Sequence, residues 1–307
     1  MTENKELPVV QSVKKVLITG VSGFLGHHLI KVCVEKGWNV TGVDKRPIPE
    51  GHEIPDHFIQ ADVKDLKFRD LMGITYVIHL AWRTSISDCI RHPEESTDDN
   101  IDMSIHLLEV CKEAGVKKFL FPSTASLYGN NPTPWTEDMR PDPIEPYSWQ
   151  KLSIEYACQM YAKSYKLPTV IMKFFQVFGE LQREDTAISV FSRLKQSGRP
   201  VTLTKTAEGS EYKSGQRDFI YAGDLAEACV MALESDKTGQ GEIFNVATGR
   251  VHTMEEIAEA MGAEIIFIDK RNFDVDRHHG DITKIQKTLG WGNNLVDVVE
   301  WLKENEN

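Results

Sequence analysis

The sequence is short of basic residues, of paired cysteines and of long apolar runs, and each shortage bears on function. Lys and Arg number 35 against 46 Asp and Glu, a formal net charge of −11. Non-specific nucleic-acid binding needs clustered cations, so this balance argues against a nucleic-acid partner. A few local arginines can still bind a diphosphate on an acidic protein. The five cysteines, Cys33, Cys89, Cys111, Cys158 and Cys229, are scattered and form no Cys-x-x-Cys pair. Cys33, Cys111, Cys158 and Cys229 sit in helix-like apolar patterns, where buried free thiols in a reducing cytoplasm are expected, not a disulfide framework. The ten histidines include no His-x-x-x-His pattern, so no metal site is expected. No apolar run approaches membrane-spanning length. Residues 1–14 are polar and lack the apolar centre of a signal sequence. There is no internal repeat and no low-complexity tract.

What is present is an ordinary globular composition, 41% hydrophobic and 26% charged, in 307 residues. That length fits a nucleotide domain plus a smaller second lobe. The chain is organised around residues 16–29. An apolar run, Val16 to Ile18, leads into Gly20, Gly23 and Gly26, and then into Leu25, Leu29, Val32 and Cys33 at helical spacing. This reads as strand, tight turn and helix. Gly20 permits the turn, Gly23 lets the backbone approach a pyrophosphate, and Gly26 lets the helix pack on its strand. The N–H groups and dipole of the helix start, at Phe24 and Leu25, face the anion. Asp44 closes the second strand, where a carboxylate would accept both ribose hydroxyls of an adenosine. That favours NAD. Lys45 and Arg46 could instead receive a 2′-phosphate, so an NADP-linked reductase of a keto sugar or other carbonyl stays open. So does a non-catalytic dinucleotide-binding protein.

Further strands are expected at 58–61, 76–80, 119–121 and 169–174, with helices at 100–114 and 148–166. Alternation of this kind implies an α/β fold, a Rossmann doubly wound parallel sheet. Beyond residue 175 the rhythm changes, and a smaller, discontinuous C-terminal α/β substrate lobe is expected. The boundaries read as 1–175 for the dinucleotide domain, with 217–240 returning to it, and 176–216 with 241–307 for the substrate lobe.

Ser123 and Thr124 follow the fifth strand, where ligands sit in such sheets. Tyr147 and Lys151 lie one helical turn apart. A phenol with a pKa near ~10 is a poor base at neutral pH. A nearby ammonium stabilises the phenolate. Tyr147 and Lys151 beside a nicotinamide therefore form a general acid/base for an alcohol oxygen, which a Thr hydroxyl can hold in line.

These segments resemble the extended short-chain dehydrogenase/reductases, in the group of NAD-dependent sugar epimerases and dehydratases. The matching elements run in order from Lys15 to Trp291. They include Thr-Gly-x-x-Gly-x-x-Gly from Thr19, Asp62-Val63, His79-Leu80-Ala81, Asn100, Thr124 to Gly129, Tyr147 to Lys151, Arg217 to Tyr221 and Asp281 to Lys284. The resemblance implies that Tyr147 transfers the proton, that Lys151 also bonds the nicotinamide ribose, and that Thr124 bonds the substrate oxygen. It implies that Asp62 and Val63 meet the adenine, and that Leu80, Ala81, Asn100 and Ser123 line the cofactor. Arg217 and Arg277 would bind the diphosphate of a nucleotide-sugar substrate, with Gln176 facing the sugar. Related enzymes often form homodimers through helices 100–114 and 148–166. The 4,6-dehydratases of this group carry an Asp-Glu pair after the catalytic Thr. Here those positions are Ala125 and Ser126, as in UDP-hexose 4-epimerases. The chain departs from the family at Trp82-Arg83, where small residues are usual, and at Lys173 and Gln176, where Arg and Asn are common. Residues 204–216 are longer than the usual connection.

Overall fold

The structure is a computed structural model and describes residues 13–269 and 275–305. The apolar run that opens the chain becomes Lys15–Thr19 (β1). Its side chains alternate across the sheet: Val16 and Ile18 enter one buried cluster, Leu17 the opposite one. Burial on both faces is what a central parallel strand requires. Asn39–Asp44 (β2), His57–Gln60 (β3), Tyr76–His79 (β4), Lys118–Thr124 (β5) and Thr169–Phe174 (β6) follow. Later strands are Gln176–Phe178 (β7), Val201–Thr204 (β8), Gln216–Arg217 (β9), Phe219–Tyr221 (β10), Gln240–Val246 (β11), His252–Thr253 (β12) and Ile265–Ile268 (β13).

The main sheet has seven strands in the order β11-β6-β5-β4-β1-β2-β3, and every neighbouring pair runs parallel. The order reverses between β1 and β4, which opens a crevice at their carboxyl ends. Helix Phe24–Glu35 (α1) lies on one face. Ile86–Arg91 (α2) and Pro93–Thr97 (α3) follow β4. Met103–Ala114 (α4) and Pro146–Tyr165 (α5) cover the other face, packing Leu107 and Ile154 on Phe119 and Phe121. In the second half come Ala187–Gln196 (α6), Ala222–Glu234 (α7), Met254–Ala260 (α8), Thr283–Leu289 (α9) and Val298–Asn305 (α10). Of these, α7 shares a core with α1: Leu225 and Cys229 join Leu29 and Cys33.

One expected boundary is corrected. The sequence pattern places residues 241–307 in the substrate lobe, but β11 pairs with β6 as the seventh strand of the main sheet, with Ile243 opposite Ile171. Phe244 and Val246 are buried in the same cluster as Val16 and Ile18, and Ile285 of α9 and Trp291 join them. The apolar face of the β6 edge is covered this way. The smaller lobe is built from β7, β8, β10 and β13 with α6, α8 and α10, around Phe178, Phe191, Val201, Ile257 and Leu302.

Two element starts also differ from expectation. Helix α5 begins at Pro146, because Glu145 caps it: the carboxylate accepts from Tyr147 N at 2.7 Å and Ser148 N at 3.0 Å. Helix α4 begins at Met103, after a wide π-type turn over Asp98–Asp102 that holds Asn100. Residues 205–214 double back on themselves, with Lys205 bridged to Ser214.

Candidate active site

A cleft of about 690 Å³ opens where the strand order reverses. At one end lie Gly20, Gly23, Phe24 and Leu25. Gly20 has φ +69, and a Cβ there would sit 2.6 Å from Ala81 N. Gly26 lies beneath the turn, where a Cβ would come 2.0 Å from Val21 O. No side chain caps α1, and no acidic residue stands in its first turn. The helix start is therefore left for an anion. Asp44 is buried; it accepts Ser22 N at 3.1 Å and Arg46 N at 2.9 Å. Its carboxylate faces the cleft beside Asp62 and Val63. Lys45 does not stand ready for a 2′-phosphate: its ammonium pairs with Asp62 at 2.8 Å. The turn, the uncapped helix and the Asp44 carboxylate fit NAD.

Leu80 and Ala81 line the middle of the cleft. A buried polar string fixes them: Thr19 Oγ1 meets His79 Nδ1 at 2.8 Å and accepts Ala81 N at 3.2 Å, and His79 Nε2 meets Ser104 Oγ at 3.0 Å. Burial takes His79 down to about 3, so this imidazole is neutral.

At the other end stand Asn100, Ser123, Thr124, Tyr147, Lys151 and Gln176. Asn100 accepts Arg83 N at 2.8 Å and donates to Gln150 Oε1 at 2.8 Å. Tyr147 sits in the first turn of α5, which the Glu145 cap fixes. Its phenol lies against the Thr124 hydroxyl. Burial pushes it up to about 12, and the Thr124 hydroxyl draws it back. Lys151 is buried and donates to Pro122 O at 2.7 Å. Burial lowers it to about 7, opposed by Glu155. Both shifts have one cause: an enclosed site disfavours charge. Burial by itself favours the neutral phenol and the neutral amine.

Arg217 and Arg277 do not line this cleft. Arg217 Nη1 donates to Gln216 O at 2.8 Å. Arg277 is exposed, with Nη2 3.3 Å from His279 Nδ1, and borders a separate cavity of about 230 Å³ under Tyr212. Among the described residues, no group of His, Cys, Asp and Glu could hold a metal, and no helix is long and apolar enough to cross a membrane. All five cysteines are free and buried.

The model of the NAD dependent epimerase/dehydratase family matches residues 16–247. The chain belongs to this family. A UDP-glucose 4-epimerase of Corynebacterium glutamicum is 31% identical over 262 residues, 80% of this chain and 78% of that protein. A UDP-glucuronate 4-epimerase of Thermodesulfobacterium geofontis is 28% identical and covers 94% of this chain and 96% of its own. The crystal structure of the Thermus thermophilus UDP-glucose 4-epimerase complex with NAD is 29% identical. It superposes with a TM-score of 0.81 over 94% of this chain and 96% of that one. The cofactor of this epimerase/dehydratase family member is NAD.

Arg183, which lines the cleft, and Gln150 and Glu155, buried behind it, are not marked by the sequence motifs. Gln150 is fully buried and donates to Ser96 Oγ at 2.9 Å, fixing the amide that holds Asn100. Glu155 is buried, accepts the Ser123 hydroxyl, and faces Lys173 Nζ at 3.6 Å. Arg183 reaches from the segment after β7 to the Thr84 hydroxyl and pairs with Asp185 at 2.6 Å. The spacing Tyr147, Lys151, Glu155 was available as a signal, since all three fall on one helix face. Nothing local to Arg183 pointed to the cleft.

Proposed function

We propose that this epimerase/dehydratase family member is a nucleotide-sugar 4-epimerase. One observation carries the choice over a 4,6-dehydratase, which needs a second acid and base at the sugar. Ala125 and Ser126 follow Thr124 and carry no carboxylate. Of the carboxylates lining the cleft, Asp44 and Asp62 stand at the adenosine end, and Asp99 pairs with Arg83 at 3.3 Å.

In this reading NAD supplies the hydride acceptor and donor for sugar C4, and its positive ring favours the Tyr147 phenolate. Tyr147 Oη removes the proton from O4 and returns it once the flat 4-keto sugar has turned about its diphosphate link. Thr124 Oγ1 holds that oxygen in line. Lys151 supports the phenolate and takes the cofactor ribose. Gln176 and Ser126 border the sugar, and Arg217 and Arg277 would meet the diphosphate once the smaller lobe engages it. We also propose a homodimer through α4 and α5. On the outer face of α5, Trp149, Tyr156 and Met160 are 48%, 58% and 41% exposed.

The test is to incubate the purified protein with UDP-glucose, UDP-glucuronate or UDP-N-acetylglucosamine, with no added nucleotide cofactor, and follow the sugars by NMR. Interconversion of one C4 pair is expected. A 4-keto-6-deoxy product, or turnover only with added NADPH, would overturn the reading.

A further inference from the structure

A buried ammonium ordinarily needs a carboxylate partner, because burial alone strips its charge. Lys151 has no ion-pair partner within 4 Å among the described residues. The obvious one is Glu155, one turn further along α5. That carboxylate is engaged elsewhere: it accepts the Ser123 hydroxyl and faces the equally buried Lys173. Lys151 Nζ instead lies 3.8 Å from the centre of the Trp82 ring and 4.6 Å from that of Phe121.

We propose that Trp82 is a positioning residue for the proton-transfer pair, its indole face keeping Lys151 as an ammonium where a carboxylate would otherwise be needed. The inference rests on the reading of Tyr147 and Lys151 as that pair. An aromatic face attracts a cation electrostatically, Trp most strongly, and more so where water is excluded. Unlike a carboxylate, it adds no full negative charge beside a group that must itself become a phenolate. The geometry of Trp82 suits the role. Its ring packs against Phe121 with centroids 5.5 Å apart and an interplanar angle of 60°. Its Nε1 is buried with no hydrogen-bond partner among the described residues. The indole is thus held through its faces and edges and not by its polar atom.

The other groups facing Lys151 are few. On its own helix they are Glu155 and Cys158, with Tyr147 one turn before it. From β5 come Pro122 O and the Phe121 ring, and from β4 the neutral His79. Cys158 is held as a thiol by burial. Glu155 is the one carboxylate among them, so Trp82 and Glu155 are the two separable supports of the Lys151 charge.

The test compares Trp82→Phe, which keeps a weaker π face, with Trp82→Leu, which keeps apolar bulk without one. Trp82→Met replaces the Leu variant if that does not fold. Two quantities are read: the alkaline limb of kcat/KM against pH, and the pH midpoint of Lys151 reductive methylation by peptide mass, which needs no turnover. The expected result is an acid-ward shift of both in the Leu variant, by about one pH unit, and a smaller shift in the Phe variant. Midpoints equal to the parent's in both variants, or equally shifted in both, would overturn the proposal. The Tyr147→Phe variant separates the two levels. If it turns over like the parent, the reading of the pair fails. If it is inactive while Trp82→Leu leaves both midpoints in place, only the role of Trp82 fails.

Discussion

Tyr147 and Lys151 stand in an enclosure that opposes both of their charges, and two measurable consequences belong to this scale. Replacing Tyr147 by Phe removes the proposed proton acceptor but leaves the cleft wall. The expected loss in kcat is about 10²- to 10⁴-fold, with NAD still released on denaturation of the variant. Lys151 should carry a stability penalty. Its folded pKa is lowered to about 7, while an unfolded lysine titrates near ~10.4. The folded state therefore binds fewer protons between these values, and stability rises with pH across that window. The penalty is complete below about pH 7. Accordingly, Lys151→Met should melt several degrees above the parent at pH 6, with the advantage fading towards pH 10, while turnover is lost. A Met variant that melts below the parent at pH 6 would show that Lys151 is not under strain. These residues were legible in the sequence because their message is local: Tyr and Lys at i and i+4, and Ser-Thr at a strand end. Glu155 and Lys173 were less so. Their pairing joins α5 to β6 across the sheet, and no local spacing encodes it.

At the scale of elements, the turn between β1 and α1 and the first turn of α5 set the site. The glycine turn could be read directly, since each glycine answers a steric demand. A Cβ at Gly20 would meet the Ala81 backbone at 2.6 Å. Gly20→Ala is therefore expected to lose bound NAD, measured as nucleotide released per chain. The start of α5 could not be read, because its cap is Glu145, a residue outside the usual Ser, Thr, Asp and Asn caps. That carboxylate accepts Tyr147 N at 2.7 Å. Glu145→Ala should lower stability by about 1 kcal/mol in a denaturant titration. It should lower kcat more than KM, because the phenol loses the anchor of its own backbone. An unchanged kcat would mean that packing alone places Tyr147.

At the scale of the whole molecule, the misplaced piece was β11. Its sequence reads as a strand, but nothing near it says which sheet it joins. Pairing with β6 is a contact between residues far apart in sequence, fixed by the buried face that Phe244 and Val246 complete. The chain therefore crosses between lobes repeatedly, and the β1–β4 crevice is bordered by Gln176 and Arg183 from beyond β6 as well as by the main sheet. Binding of NAD in that crevice should stabilise the fold as one unit. Nucleotide-free protein is expected to gain about 2.7 kcal/mol with NAD at a hundred times its dissociation constant, in a single shifted transition. The proposed homodimer is checked by light scattering: two chains are expected, and one chain for Tyr156→Asp.

The most direct measurement follows deuterium placed at C4 of UDP-glucose and of UDP-glucuronate. The purified protein is supplied in ordinary water without added nicotinamide nucleotide. An epimerase that holds its NAD through the cycle should yield the C4 epimer of one of them with deuterium still at C4. Loss of the label to water, or a product whose formation consumes added NADPH, would contradict it.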